Sequence, residues 1–168
     1  IFDRTTSLIL FTASAIYAYM GLIYLNNPYS MIRVFRYLDW IITIPLLLYQ
    51  FFLFIRSYHR NPFDLISLIG LSILMLIFGF LGEINHLPKL IALILGIIPS
   101  IGIFYILFKK SKSIDHKFFK SMAVLCSFYP IVYLLPETWF TLISWSIVDI
   151  LAKVGAGLYI KVKKSSSF

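Results

Sequence analysis

Lys153 lies inside an apolar run, Trp139 to Ile160, with Asp149 four residues before it. That spacing puts the amine and the carboxylate on one helix face, about 6 Å apart along the axis. Charge is costly in hydrocarbon, so ionisable residues at such depth mark an ion pathway, a chromophore or a counter-ion. A buried lysine can present a neutral amine that condenses with an aldehyde to a Schiff base, and Asp149 would be the nearby anion.

A second apolar run carries its own charges. In Arg36-Tyr37-Leu38-Asp39-Trp40-Ile41-Ile42-Thr43-Ile44-Pro45, continuing to Gln50, the residues Arg36, Asp39, Thr43 and Gln50 recur at helical spacing and share one stripe. Two aspartates, one arginine and one lysine, if adjacent, make a neutral set that a low-dielectric interior tolerates. A lone lysine in such a helix is often a residue that snorkels to the interface. Packing alone does not account for four charges at this spacing.

The elements that must position these groups are helices in a membrane. The chain has 168 residues, 60% hydrophobic and only 13% charged, a composition of integral membrane proteins. Apolar spans run from Thr5 to Leu25, Phe35 to Phe54, Phe63 to Gly82, Leu90 to Phe108, Phe119 to Leu135 and Trp139 to Ile160, each near the ~20 residues a crossing needs. The expected fold is all-α, a polytopic bundle of six transmembrane helices in one domain, residues 1–168. Breaks fall at Asn26-Asn27-Pro28, His59-Arg60-Asn61-Pro62, Asn85-His86-Leu87-Pro88, Ser111-Lys112-Ser113 and Pro136-Glu137, and Ser165-Ser166-Ser167 reads as a disordered end. Gly79, Gly82, Gly155 and Gly157 read as close helix contacts or as room for a rigid ligand.

The net charge of +8 could suggest nucleic acid, but no motif supports that reading. If the spans alternate, Arg4, Arg56, Arg60, the Lys109 to Lys120 cluster and the Lys161 to Lys164 tail share one side, against Arg33 and Lys89 on the other. By the positive-inside rule the first side, with the C-terminus, is cytoplasmic. The same lysines could also touch anionic lipid. Cys126 is the single cysteine, so no intrachain disulfide can form. Ile1 leads almost directly into a span, without a cleavable signal.

With these residues in place, the chain resembles the microbial (type 1) rhodopsins, a family of light-driven pumps, channels and sensors that bind retinal. Arg36-Tyr37-x-Asp39-Trp40-x-x-Thr43-x-Pro45-Leu46-Leu47-Leu48 is similar to that family's third helix. Met75-x-x-x-Gly79 resembles its fourth, Tyr129-Pro130-x-x-Tyr133 its sixth and Asp149-x-x-x-Lys153-x-Gly155-x-Gly157 its seventh. The resemblance implies all-trans retinal bound covalently to Lys153 as a protonated Schiff base, with Asp39 and Asp149 as counter-ions and Asp39 as proton acceptor. Thr43 would give its hydroxyl to the Asp39 carboxylate, and Arg36 would bridge the pair on the outer side. Trp40, Met75, Gly79, Tyr129, Pro130 and Tyr133 would line the chromophore; taken singly, each also reads as ordinary core packing. The family has seven helices, so the first is missing from the count of six. Either a helix precedes Ile1 in the native protein or the form is shortened.

Two further departures bear on function. Gln50 stands where the cytoplasmic proton donor is expected, and an amide cannot reprotonate the site as an acid. Cys126 stands where the family usually has tryptophan, which would alter colour, isomer preference or pocket tightness. Gln50 also fits sodium- and chloride-pumping relatives, but their counter-ion positions differ from Asp39 and Thr43. The resemblance implies a light-driven outward proton pump in the lipid bilayer, with a light-gated cation channel and a sensory photoreceptor as alternatives. It also implies assembly as a homo-oligomer, trimer or pentamer. Outside, Glu83, His86 and Glu137 could release protons, or simply be solvated. An enzyme is not expected, since lysine Schiff-base enzymes keep a polar substrate pocket and typically a soluble scaffold.

Overall fold

A computed structural model describes residues 4–24, 30–54, 61–110, 113–136 and 138–165. Its helices are α1 (Arg4–Tyr24), α2 (Ser30–Phe54), α3 (Pro62–Glu83), α4 (Lys89–Lys110), α5 (Ser113–Cys126), α6 (Phe128–Leu134) and α7 (Trp139–Ser165). No strand occurs among the described residues. Segments α5 and α6 form one broken pass, so the described residues make six helical passes, as the apolar runs predict. Of the expected breaks, Asn26 to Pro28, His59-Arg60, Ser111-Lys112 and Glu137 lie outside the described residues, as do Ser166 and Ser167, whereas Asn61 precedes α3, Ser113 opens α5, Pro136 lies between α6 and α7, and Ser165 ends α7.

The burial pattern is that of a bundle whose solvent is lipid. Phe11, Ile98, Ile101, Tyr105 and Phe140 are exposed, while Arg36, Asp39, Gln50, Glu83, Asp149 and Lys153 are buried. Apolar residues outside and charges inside match a hydrocarbon surround rather than water. On length and composition alone, α3 and α4 are each sufficient to cross a membrane among the described residues. Helices α2 and α7, of 25 and 27 residues, carry the buried Arg36, Asp39, Asp149 and Lys153.

Two starts differ from the apolar reading. Helix α2 begins at Ser30 rather than near Phe35, and α5 at Ser113 rather than near Phe119. Hydropathy marks the stretch that sits in hydrocarbon, but backbone hydrogen bonding carries a helix past it into the polar layer. The third difference is the break at Ser127. Pro130 has no N–H and its ring crowds the carbonyl four residues back, at Cys126, where α5 ends. Ser127 there bonds by its N–H to the carbonyls of Ala123 (3.0 Å) and Val124 (3.1 Å) and by its hydroxyl to Ala123 (2.8 Å). Pro45 and Pro99 lie inside α2 and α4 without interrupting them.

Helices α3 and α4 pack closely as an antiparallel hairpin. Asn61 caps α3 through its side chain, accepting from the Phe63 N–H at 3.1 Å, with Pro62 following at the first turn. At the other end Asn85 takes the left-handed conformation (φ 60°), and the His86 and Leu87 N–H groups close on the Leu81 carbonyl. Lys110 of α4 pairs with Asp64 of α3 at 2.8 Å. Small residues set the separation: a Cβ added at Gly82 would lie 2.5 Å from Ala92 Cβ, and one at Gly102 3.0 Å from Leu71. Gly79 and Gly82 are thus close contacts as expected, whereas a Cβ at Gly155 would meet nothing within 4 Å. Gly155 faces out of the bundle, and its expected role in helix contact is corrected accordingly.

Candidate functional site

Helices α2 and α7 bring the two charged stripes together. The Lys153 amine forms ion pairs with Asp39 of α2 and with Asp149 of its own helix, the second at 2.6 Å. The amine and both carboxylates are 4% exposed or less. Burial of these charges is tolerable because each faces an opposite one at contact distance.

The two aspartates differ in what else holds them. Asp149 Oδ1 accepts from Trp40 Nε1 at 3.0 Å and from the Tyr129 hydroxyl at 3.4 Å. Asp39 Oδ1 is buried without a hydrogen-bond partner among the described residues. The Thr43 hydroxyl donates to the Asp39 main-chain carbonyl at 2.9 Å, the back-bond typical of helical threonine, and lies beside the carboxylate as well.

Arg36 carries the cluster further. Its Nη2 lies 3.5 Å from Glu83 Oε1, both side chains 5% exposed. The described ion pair of Arg36 is therefore with Glu83 and not with either aspartate. Spacing along α2 placed Arg36 near the aspartates but could not name this partner, because Glu83 ends α3, 47 residues away. With Glu83 included, the expected neutral set becomes two cations facing three carboxylates. Of the other outer candidates, His86 is exposed and contacts the Ile84 carbonyl at 3.4 Å, and Glu137 lies outside the described residues.

Beside these charges runs a cavity of about 690 Å³. Lys153, Asp149, Trp40, Thr43, Met75, Gly79, Tyr129, Pro130, Tyr133 and Cys126 all line it. Its floor is aromatic: Trp40 meets Tyr129 edge-on at 5.6 Å and Trp145 at 5.2 Å between centroids. Gly79 leaves space for Tyr37, whose hydroxyl would be 2.8 Å from an added Cβ, and its carbonyl accepts from the Tyr133 hydroxyl at 3.1 Å. Gln50 is buried on α2 and does not line the cavity, whereas its neighbour Phe51 does, as part of an apolar cluster with Leu68, Leu107 and Phe119.

Sequence reasoning missed Trp145 and the polar work of Trp40. Trp145 lies four residues before Asp149 and eight before Lys153, so the stripe on α7 that exposed those two also passes through it. Chemically, the arrangement offers an amine that can bond an aldehyde, anions to balance a positive nitrogen, and aromatic side chains lining an apolar space. A polyene aldehyde suits that donor set and lining.

Comparisons with known proteins point the same way. The profile of the bacteriorhodopsin-like protein family matches residues 2–162. The green-light absorbing proteorhodopsin of gamma-proteobacterium EBAC31A08 is 33% identical over 91 residues, covering 53% of this chain and 36% of that protein. The blue-light absorbing proteorhodopsin of gamma-proteobacterium Hot 75m4 is 39% identical over 64 residues, covering 38% of this chain and 26% of that protein. The chain therefore matches well under half the length of these curated relatives. Among solved structures, the viral rhodopsin OLPVRII superposes with a TM-score of 0.80 over 99% of this chain and 86% of that one, at 24% identity, a likeness of fold. The blue light-absorbing proteorhodopsin from Med12 gives 0.77 over 98% and 81%, at 26% identity.

Proposed function

This chain belongs to the bacteriorhodopsin-like family of integral membrane proteins, whose members bind retinal, and we propose that it works as a light-driven outward proton pump. In this reading residues 1–168 form one retinal-binding domain, Lys153 holds the chromophore covalently, and the C-terminus is cytoplasmic. The observation that carries the reading is the buried Lys153 amine set between two carboxylates in the wall of a closely lined apolar cavity.

Bound retinal would supply the absorption of light and the change of shape that alters the surroundings of the Lys153 nitrogen. In the dark, Asp39 and Asp149 hold a proton on that nitrogen through paired charge. Asp149 Oδ1 is already occupied by two donors, whereas Asp39 keeps a buried oxygen without a partner among the described residues. Asp39 is therefore the carboxylate with room for the departing proton. Trp40 and Tyr129 hold Asp149 in place as the counter-ion that remains. Met75, Gly79, Pro130 and Tyr133 confine the chromophore laterally, and Cys126, smaller than the tryptophan of relatives, leaves that part of the wall looser. In this reading the proton leaves Asp39 past Arg36 and Glu83, which pair at 3.5 Å. Gln50 has no acidic proton to return, so the Lys153 nitrogen is reprotonated from water and the cycle closes slowly.

Gln50 also favours a second reading, a light-gated cation channel, which needs the same switch but no internal donor. A light-evoked current–voltage curve from cells given retinal separates the two. Current that stays outward at every voltage supports the pump. Current that reverses with the ion gradient replaces it with the channel, and colour without current replaces both with a sensor.

A further inference from the structure

Arg36 is held by less than its charge requires. Its bond to Glu83 is 3.5 Å, well beyond the roughly 2.8 Å of a strong charge-assisted contact. Its Nε is buried with no hydrogen-bond partner among the described residues. What lies against the guanidinium is an aromatic face: its central carbon is 4.5 Å from the centroid of Trp145 and 5.6 Å from that of Trp40. A cation over an indole in a water-excluded site is a substantial attraction. Trp145 is 5% exposed and packs at 5.2 Å on Trp40 and at 5.5 Å on Tyr129, the two donors to Asp149.

We propose that Trp145 is a positioning residue for the proton step: its indole holds the Arg36 guanidinium against Glu83, and so fixes how much positive charge Asp39 feels. The proposal rests on the reading of Asp39 as acceptor. Lys153 of α7 contacts both Asp39 and Asp149, Arg36 lies three residues before Asp39 on α2, and Arg36 in turn pairs with Glu83 of α3. Tyr129 and Tyr133 face the same region from α6, Tyr37 from α2 and Cys126 from α5. Of the charged groups, Arg36 is the one that Trp145 touches directly. Without the indole the guanidinium is free to turn from Glu83 toward the aspartate pair.

The test uses the full chain with all-trans retinal and reads the pH midpoint of its acid-induced colour change. Trp145→Leu should lower that midpoint by about one pH unit, the shift expected when a cation comes nearer a carboxylate and favours its charged form. Trp145→Phe keeps an aromatic face and should move it by less than half as much. In an Arg36→Gln background, Trp145→Leu should add nothing, because the group it positions is gone. An unmoved midpoint, or an equal shift in the Arg36→Gln background, overturns the proposal. A second readout needs no retinal: Arg36 side-chain protons in selectively labelled protein should show an upfield ring-current shift that Trp145→Leu reduces to the part contributed by Trp40, and a shift that the substitution leaves unchanged overturns the contact itself. A wild-type chain that shows the ring-current shift but forms no pigment refutes the pump reading while upholding the contact.

Discussion

Replacing Lys153 by methionine should destabilise the retinal-free protein more than any other single change at the site. The five buried charges among the described residues are Arg36 and Lys153 against Asp39, Asp149 and Glu83. The Lys153 amine is in contact with two of the three carboxylates at once. Removing one partner of a buried ion pair costs about 3–5 kcal/mol, because the other charge is left uncompensated in low dielectric. Lys153→Met strips two carboxylates together and leaves three anions facing one guanidinium, so the upper part of that range, about 4–5 kcal/mol, is expected. Asp39→Asn is the contrasting change. It relieves the crowding of two anions on one amine and leaves the 2.6 Å contact to Asp149 in place, so its cost should stay within about 1 kcal/mol. The double variant has the same excess of one negative charge as the wild type and should recover roughly 2 kcal/mol of the loss. Unfolding of the retinal-free chain in bicelles, titrated with dodecyl sulfate at neutral pH, measures all three. If Lys153→Met unfolds with the wild type, or if Asp39→Asn costs as much as Lys153→Met, the buried charges do not act as one set and the electrostatic reasoning fails.

The remaining expectations concern light and packing. With retinal, Lys153→Ala should remove visible absorbance and Asp39→Asn should shift it to the red and stop net transport; an unshifted, still-pumping Asp39→Asn would move the acceptor elsewhere. Gln50→Glu should restore an internal acid and speed recovery of the dark state by about 10²-fold or more in flash spectroscopy, and an unchanged rate would mean the buried Gln50 lies off the reprotonation path. Gly82→Ala should cost about 1–3 kcal/mol, since its Cβ would come within 2.0 Å of the Tyr133 hydroxyl and 2.5 Å of Ala92. Tyr133→Phe should relieve only part of that loss in the same unfolding assay, and complete relief would place the clash on Tyr133 alone.

Much of the site was legible because charge is so conspicuous in an apolar run. Lys153, Asp149, Asp39 and Arg36 announce their burial by type and their shared faces by spacing along α7 and α2. Glu83 did not, because it ends a span, where a carboxylate is ordinarily solvated; only its packing against Arg36 shows it buried. The bond from Trp40 to Asp149 joins residues 109 apart in sequence, and an aromatic in an aromatic-rich helix carries no local sign of donating a hydrogen bond. Pro130 read as a chromophore wall and not as a sign that the helical path would part at Ser127, while Pro45 and Pro99 leave their helices whole. Whether a proline parts its helix depends on the surrounding helices as well as on the residue, and one segment's sequence does not contain them.

The α3–α4 hairpin is fastened at both ends, by Lys110 on Asp64 at one and by Gly82 against Ala92 at the other, with Gly102 pressed on Leu71 between them. A pair of rods pinned at two separated points resists both sliding and splaying, and a close-packed interior passes strain on instead of absorbing it. One wall of the cavity is therefore stiff. Work done inside it is delivered to the opposite walls, where α2 and α7 carry the charges and where the helical path through α5 and α6 is already broken.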